Sequence, residues 1–377
     1  MLPDRNGGNI LKVLEILAYP IRYGGIDMFV WQLIRSVDKS IHLDCLTPLN
    51  CVNEDFRKDL SERGGNLFEL NLKKNGNLNY AYRPIKSFLK EHHYDVVHIH
   101  ASSIQELAAI AAAADRGSKD TKVIVHSHGT GSKFTFVMRV FRRIAGFSMS
   151  RHVDCFCACS KVAAEWKYIP KHQKQAHIIN NGINTEQFMF DRERRKEIRE
   201  RMNISDSEFV LGNVGRLSYE KNQGYLINIF EKLLQVKPDS KLVLVGDGPD
   251  REALAKSAES KGLSEKIIFV GNTTDVAGYL MAMDVFVFPS VHEAFGFAAV
   301  EAQASGLPVV ASDIIPKDVK MCESVKFLPI GDENISKWTD AIANACCEDR
   351  KKGVEAVRKA GYDLKNTAKQ VEKLYLS

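Results

Sequence analysis

The sequence predicts an α/β protein of two doubly wound domains, and three observations lead there. Its 377 residues exceed the ~100–200 of one ordinary domain. Apolar, β-branched runs alternate with helix-length segments from end to end. That alternation restarts near residue 182, after the turn residues Asn180, Asn181 and Gly182 and before a polar helix expected over Asp191–Met202. Strands this apolar, separated by helices, describe parallel sheets covered on both faces.

In the first half, strands are expected at Ile10–Leu17, His42–Thr47, Leu67–Leu70, Asp95–His100, Lys122–His128, Asp154–Ser160 and His177–Asn180. In the second half they are expected at Phe209–Val214, Lys241–Gly246, Lys266–Val270, Val285–Pro289, Pro308–Ser312 and Lys326–Leu328. The domains are then residues 1–182 and 183–362, with a final helix in 363–377 that crosses back onto the first domain. Doubly wound sheets bind ligands beyond the carboxyl ends of their strands, so the expected site is a cleft between two facing domains. The mixed run Arg192–Arg201 reads as a solvated helix face.

Composition narrows the class. With 45% hydrophobic and 26% charged residues, the chain is a soluble globular protein, which excludes disorder, collagen-like repeats and coiled coil. No apolar run approaches the ~18 residues of a membrane span. Glu15 interrupts the N-terminal apolar segment Ile10–Ala18, which therefore fails as a signal peptide. A cytoplasmic protein is expected. Cys155, Cys157 and Cys159 lack the C-x-x-C spacing of zinc or thioredoxin sites; on a strand they would share one face as buried thiols. The net charge of +5 is local. Thr121–Val153 holds Lys122, Lys133, Arg139, Arg142, Arg143 and Arg151 and no acidic residue, while the rest of the chain sums to -1. One patch of this kind argues against a nucleic-acid coat.

The most informative stretch is SVHEAFGFAAVE, Ser290–Glu301, which follows an expected strand and opens a helix. Free N–H groups from Phe295 through Gly296 to Phe297 form an anion site suited to a phosphate, with Glu293 before the helix and Glu301 in its second turn. An ordinary capped helix with two surface carboxylates would read the same way. Arg216 and Lys221 follow the first strand of the second domain, where an ordinary reading is a surface ion pair with Glu220.

The spacing Glu293-x7-Glu301, with Phe295-Gly296 inside it, resembles the E-x7-E signature of the retaining glycosyltransferases of family 4, which have the GT-B fold of two Rossmann-like domains facing each other across a cleft. Other segments fall in register with that family. Gly215–Asn222 resembles its G-R-x-x-x-x-K motif, and Asn181-Gly182-Ile183-Asn184 its N-G-[VI]-D junction. Val245–Pro249, Phe269-Val270-Gly271, Tyr23-Gly24-Gly25 and His128-Gly129-Thr130 match further strand ends. The likeness to the branch acting in bacterial capsule and exopolysaccharide assembly lies in Gly24–Asp27, Tyr94–His100 and His126–His128.

The resemblance implies a nucleotide-diphosphate sugar as donor, UDP-sugar foremost, with no metal required. Arg216, Lys221 and the Phe295–Phe297 amides would neutralise the departing diphosphate, and Gly24 and Gly25 would let the backbone approach it. It further implies that Glu301 binds the ribose, that Glu293 and His128 contact the donor sugar near the reaction centre, and that Gly246, Val270 and Gly271 lie near the base. A glycosidase is disfavoured because one carboxylate is assigned to ribose. A dehydrogenase is disfavoured because neither sheet opens with G-x-G-x-x-G.

His98, His100, His126 and His128 form two H-x-H pairs on expected neighbouring strands, and i, i+2 histidines share a face. No carboxylate is patterned near them and no D-x-D occurs, so a metal is not expected; beside the sugar contact that the resemblance implies for His128, the other three are expected to be structural or acceptor-side. Lys133–Arg151 reads as a helix whose apolar stripe (Phe134, Val137, Met138, Phe141 and Ile144 or Ala145) leaves Arg139, Arg142 and Arg143 to one side. Either the stripe packs on the core with its arginines solvated, or the face meets anionic lipid or a lipid-linked acceptor. The expected function is transfer of a hexose-type sugar to a growing, lipid-linked glycan, by a protein peripheral on the inner face of the plasma membrane. A small soluble acceptor and a catalytically silent assembly partner are the alternatives.

Overall fold

The computed structural model describes residues 10–22, 25–73, 80–101, 103–117, 120–128, 136–293, 295–346 and 349–377, with the backbone alone at 25 and 136–138. The chain divides into two compact units: Met1–Gly182 with Leu364–Ser377, and Ile183–Asp363.

The first unit holds β1 (Leu11–Leu17), β2 (Ile41–Thr47), β3 (Leu67–Glu69), β4 (Val96–His100), β5 (Lys122–Ser127), β6 (Cys155–Ala158) and β7 (His177–Ile178). They form one parallel sheet in the order β3-β2-β1-β4-β5-β6-β7. The second unit holds β8 (Phe209–Val214), β9 (Ser240–Val245), β10 (Ile267–Gly271), β11 (Val285–Phe288), β12 (Val309–Ser312) and β13 (Val325–Leu328). Its parallel order is β10-β9-β8-β11-β12-β13. In both sheets the strand order reverses after the first three strands, giving a topological switch point between β1 and β4 and another between β8 and β11.

All the expected strands form, with ends moved by one or two residues. The apolar runs are legible because each strand is covered on both faces. In β1, Leu14 and Ile16 enter one core with Val97, Ile99 and the helix Ile104–Gly117, while Val13 and Leu17 enter another with the helix Gly25–Ser36. Each such side chain, fully buried, contributes roughly 1.5–3 kcal/mol.

The helix Leu364–Leu376 belongs to the first unit. Ala368, Val371, Leu374 and Tyr375 recur at helical spacing and join the core of Val13, Leu17, Val30 and Leu33. Lys122 Nζ donates to the Leu374 carbonyl at 2.6 Å.

Two expectations are corrected. The helix Arg192–Arg201 is not a wholly solvated face: Arg199 is buried and donates to the carbonyls of Ala282 and Ser205 and to Asp284, while Arg195 donates to Met281, Met283 and Asp284. Its periodicity hid this because a guanidinium can reach past the helix edge to orphaned carbonyls. The three cysteines are buried, but β6 ends at Ala158; Cys155 and Cys157 pack in one core and Cys159 in the other, beside Phe156.

Candidate active site

The second unit gathers its chemistry at the β8/β11 switch point. Past β8 the chain runs through Gly215 into a short 3₁₀ turn, Tyr219–Lys221, closed by Asn222 in the left-handed region (φ 57°, ψ 40°). Asn222 Nδ2 donates to Pro289 O at 3.2 Å, and Val291 N donates to Glu220 O at 2.9 Å, tying this loop to the one that follows β11. Below them, Asn213 Nδ2 donates to Val287 O and Gln223 Nε2 to Arg216 O. Strand adjacency therefore brings together residues some seventy positions apart.

Lys221 Nζ donates to Glu293 Oε1, and Ser290 Oγ donates to the same oxygen at 2.9 Å. The Glu293 side chain is 9% exposed and that of Lys221 25%, so this is a largely desolvated pair with one edge open. The surface pair of Lys221 with Glu220 does not form. Arg216 is exposed, and its guanidinium makes no hydrogen bond among the described residues. The helix Phe297–Ala304 begins at Gly296 (φ 106°, ψ 53°), where a Cβ would lie 3.1 Å from the Phe288 ring. Gly296 offers no side-chain cap; Ala299 N donates to the Gly296 carbonyl at 3.0 Å, and the N–H groups ahead of it have no side-chain cap partner. Phe295 and Phe297 meet edge to face at 5.2 Å, and Phe295 stacks on Tyr362. Ala294 lies outside the described residues.

Glu301 sits in the second turn of that helix, partly buried, with no hydrogen bond to its carboxyl among the described residues. Burial alone pushes its pKa up to about 7. A carboxyl with no counter-charge and free lone pairs suits hydroxyl donors. Nearby backbone is equally constrained. A Cβ at Gly246 (φ 125°) would fall 2.2 Å from the Gly215 carbonyl, and one at Gly248 2.2 Å from that of Leu217. The loops after β8 and β9 therefore interlock, and Gly246 N bonds to Gly271 O at 2.9 Å, carrying the contact to Val270-Gly271 at the end of β10.

In the first unit the switch point is filled. Glu15 on β1 stands in register with His98 on β4, and His100 with His126 on β5. Glu15 Oε2 lies 2.7 Å from His100 Nε2 and 3.2 Å from His98 Nδ1, and its Oε1 accepts from Tyr375 Oη. His100 Nδ1 meets His128 Nε2 at 2.7 Å, and His98 Nε2 meets His126 Nδ1 at 3.3 Å. All six residues are buried. Burial opposes the charge on Glu15, but His98 beside it, with the hydrogen bonds of both histidines, outweighs that and holds the carboxyl well below its usual range. Burial lowers the pKa of His100 to about 4 and holds His126 and His128 well below the usual imidazole range. The expectation that no carboxylate stands near the histidines is thus corrected. Its author is Glu15, which sequence reading noticed only as an interruption in an apolar run. His98, His100 and His126 can each bring one ring nitrogen within 4.8 Å of the others. Both nitrogens of His98 and of His100 are already engaged, which leaves His126 Nε2 as the unspent atom of the three.

Two sequence profiles cover most of the chain: "Glycosyltransferase Family 4" over residues 23–187 and "Glycosyl transferases group 1" over residues 194–346. The chain belongs to the family 4 glycosyltransferases. It is 28% identical to EpsF of Bacillus subtilis, which bears a glycosyltransferase name, over 97% of this chain and 96% of that one. It is also 28% identical, over 60% of its length and 59% of the relative's, to an Escherichia coli UDP-Gal:alpha-D-GlcNAc-diphosphoundecaprenol alpha-1,3-galactosyltransferase. Among solved structures it resembles Anabaena HepE in complex with UDP and glucose, at TM-score 0.74 and 20% identity, covering 97% of this chain and all of that one. A glycosyltransferase from Rickettsia africae aligns at TM-score 0.76 and 16% identity over 98% of both chains. These likenesses establish the GT-B fold.

The remaining expected site residues of the glycosyltransferase lie in its first unit. Tyr23, Gly24, Gly129 and Thr130 fall outside the described residues, and Gly25 opens the helix Gly25–Ser36. The basic helix spans Phe136–His152. Its expected apolar stripe is corrected: Ala145 and Met149 are buried, whereas Val140, Phe141, Ile144 (62%) and Phe147 (61%) are exposed. Phe134 lies outside the described residues, and of Val137 and Met138 only the backbone is described. Arg139 and Arg143 are exposed beside those apolar side chains, but Arg142 is half-buried and donates to Glu165 O at 2.9 Å. Arg142 is thus an anchor of the helix and leaves the expected patch. No described helix is long and apolar enough to cross a membrane.

Proposed function

We propose that this glycosyltransferase transfers a hexose-type sugar, with retention and without a metal ion, from a nucleotide-diphosphate sugar to a lipid-linked glycan in capsule or exopolysaccharide synthesis. The observation that carries the reading is the Lys221–Glu293 pair beside the uncapped helix start at Gly296. A leaving nucleoside diphosphate gathers about two negative charges. Arg216, Lys221 and the Phe295–Phe297 amides offer a planar fork, a point charge and fixed dipoles to meet them. Glu301 accepts from the ribose hydroxyls and Glu293 from a sugar hydroxyl, and His128 is a further sugar contact. The anomeric C–O bond to phosphate breaks as the acceptor oxygen bonds to the same face of that carbon, and the departing phosphate oxygen takes the acceptor's proton. No protein nucleophile is required. Support for UDP comes from HepE, which binds UDP with glucose.

The lipid-linked acceptor is supported by the diphosphoundecaprenol-dependent relative and by the exposed face of the helix Phe136–His152. There Ile144 and Phe147 offer apolar anchors and Arg139 and Arg143 positive charge, each worth about 1 kcal/mol near an anionic surface. Such a face would place the protein on the cytoplasmic side of the plasma membrane. A small soluble acceptor is the second reading, favoured by a D-inositol 3-phosphate glycosyltransferase of Corynebacterium urealyticum that is 30% identical over 55% of this chain.

A panel of nucleotide sugars, screened by thermal shift and then by donor hydrolysis, tests the donor; absence of hydrolysis with every one returns the chain to a silent assembly partner. Transfer to an undecaprenyl-diphosphate glycan, against transfer to soluble sugars, decides the acceptor.

A further inference from the structure

The polar cluster of the first unit fixes where its protons lie. An ionised Glu15 only accepts, so Tyr375 Oη and His100 Nε2 must each present a hydrogen to it. His100 is neutral in this sealed setting, so its Nδ1 carries a lone pair. The atom facing that lone pair at 2.7 Å, His128 Nε2, must then be the donor. A neutral His128 with its hydrogen on Nε2 leaves Nδ1 bare. That atom is buried and has no hydrogen-bond partner among the described residues. Leaving a buried acceptor unpaired costs about 1–3 kcal/mol, which a ligand supplying a donor would recover.

We infer that Glu15, acting through His100, sets the ring tautomer of His128, so that His128 Nδ1 accepts a hydrogen from a hydroxyl of the donor sugar; Glu15 and His100 are positioning residues. The inference rests on the proposed reading of His128 as a sugar contact, and it adds what that reading lacks, a reason for one particular nitrogen to be free. Proton placement here follows from a chain of three groups reaching back to β1. Sequence places Glu15 more than eighty residues before His100, and only the β1/β4 register brings them together. The groups facing the two rings come from every neighbouring element: Glu15 on β1, His98 on β4, His126 on β5, Phe29 on the helix Gly25–Ser36, Tyr375 on the last helix, and Lys167, whose charge bears on His128. Glu15 is the one acidic group among them, so it alone can orient His100 as a donor.

The tautomer is measured directly by long-range ¹H–¹⁵N correlation on the full chain labelled at histidine, with the His128 signals assigned from His128→Gln. The expected spectrum has His128 protonated at Nε2 and bare at Nδ1. A proton on Nδ1 overturns the inference. In Glu15→Gln the neutral amide offers His100 a donor as readily as an acceptor, so His128 should become a mixture of tautomers. UDP affinity should stay unchanged, while kcat/KM for hydrolysis of the nucleotide sugar chosen by thermal shift falls about 10–100-fold. An unmixed His128 tautomer in that variant overturns the role given to Glu15. If Glu15→Gln fails to fold, His100→Phe keeps the ring volume while removing the acceptor, and the same mixture and the same fall are expected. Failure of every nucleotide sugar and of UDP to bind sinks the proposed function and its sugar contact, while the spectrum of the unmodified protein still decides the relay.

Discussion

At the β1/β4 switch point Glu15, four histidines and Tyr375 are sealed from solvent and bonded to one another; at the β8/β11 switch point Arg216, Lys221, Glu293 and Glu301 keep an open side. The two sheets share a strand order and opposite treatments of charge. In the first, the polar groups satisfy each other except at His126 Nε2 and His128 Nδ1, so removal of a bonded member is felt first in folding. In the second, unspent donors and acceptors remain, so their removal is felt in ligand binding and turnover. The same topology can thus serve as a rigid polar core or as a ligand platform, depending on whether the side chains close on themselves.

The sharpest way to break this comparison is Arg216→Ala. An exposed guanidinium with no side-chain hydrogen bond should cost within about 0.5 kcal/mol of stability. Its loss from the leaving group should lower kcat by roughly 10²–10³. A large fall in Tm, or near-normal turnover, would erase the contrast. Next comes Tyr375→Phe, which takes one donor from Glu15 while keeping the ring in its core. Urea unfolding should show a loss of about 1–3 kcal/mol, and UDP affinity should not move. An unchanged midpoint would mean that the buried cluster is not self-satisfying.

A smaller effect should follow pH. With its pKa near 7, Glu301 must give up a proton before the carboxylate can accept from two hydroxyls. Affinity for a nucleotide sugar, whose phosphates stay ionised, should therefore fall as pH drops from about 8 to 6, by up to about tenfold per unit below 7. Glu301→Gln should flatten that profile; titration calorimetry at several pH values reads it. The smallest expected effect is none at all. Turnover should survive excess EDTA, because Arg216, Lys221 and the helix amides supply the positive charge. Loss on chelation restored by Mg²⁺ or Mn²⁺ would reject the metal-free proposal.

Much of this was legible in the chain. Buried parallel strands are apolar throughout, so their positions and the restart near residue 182 stand out without any knowledge of pairing. The segment Ser290–Glu301 carries its own context, a strand end, a glycine and a helix start, and its Glu293, held by Ser290, meets Lys221. What could not be read is which partner a charge finds across the sheet. Lys221 has Glu220 beside it in sequence, but β8 lies next to β11, so its partner is Glu293. Glu15 has no sequence signal beyond standing in an apolar strand, since its partners arrive from β4 and from a helix at the far end of the chain. Arg199 similarly reads as surface because its acceptors are carbonyls, which every residue has.

The helix Leu364–Leu376 gives this chain an unusual order of assembly. Domains usually fold one after another as the ribosome releases them, at ~5–20 residues per second. Here the first unit cannot finish in its turn. Val371, Leu374 and Tyr375 complete its core, and they leave the ribosome only after all of Ile183–Asp363 has emerged. For on the order of ten seconds or more the nascent first unit has an uncovered apolar face over β1 and a Glu15 short of one donor, Tyr375, while the second unit, continuous in sequence, is free to fold. A premature stop a dozen residues early would therefore spare the unit nearest to it and cripple the one begun first.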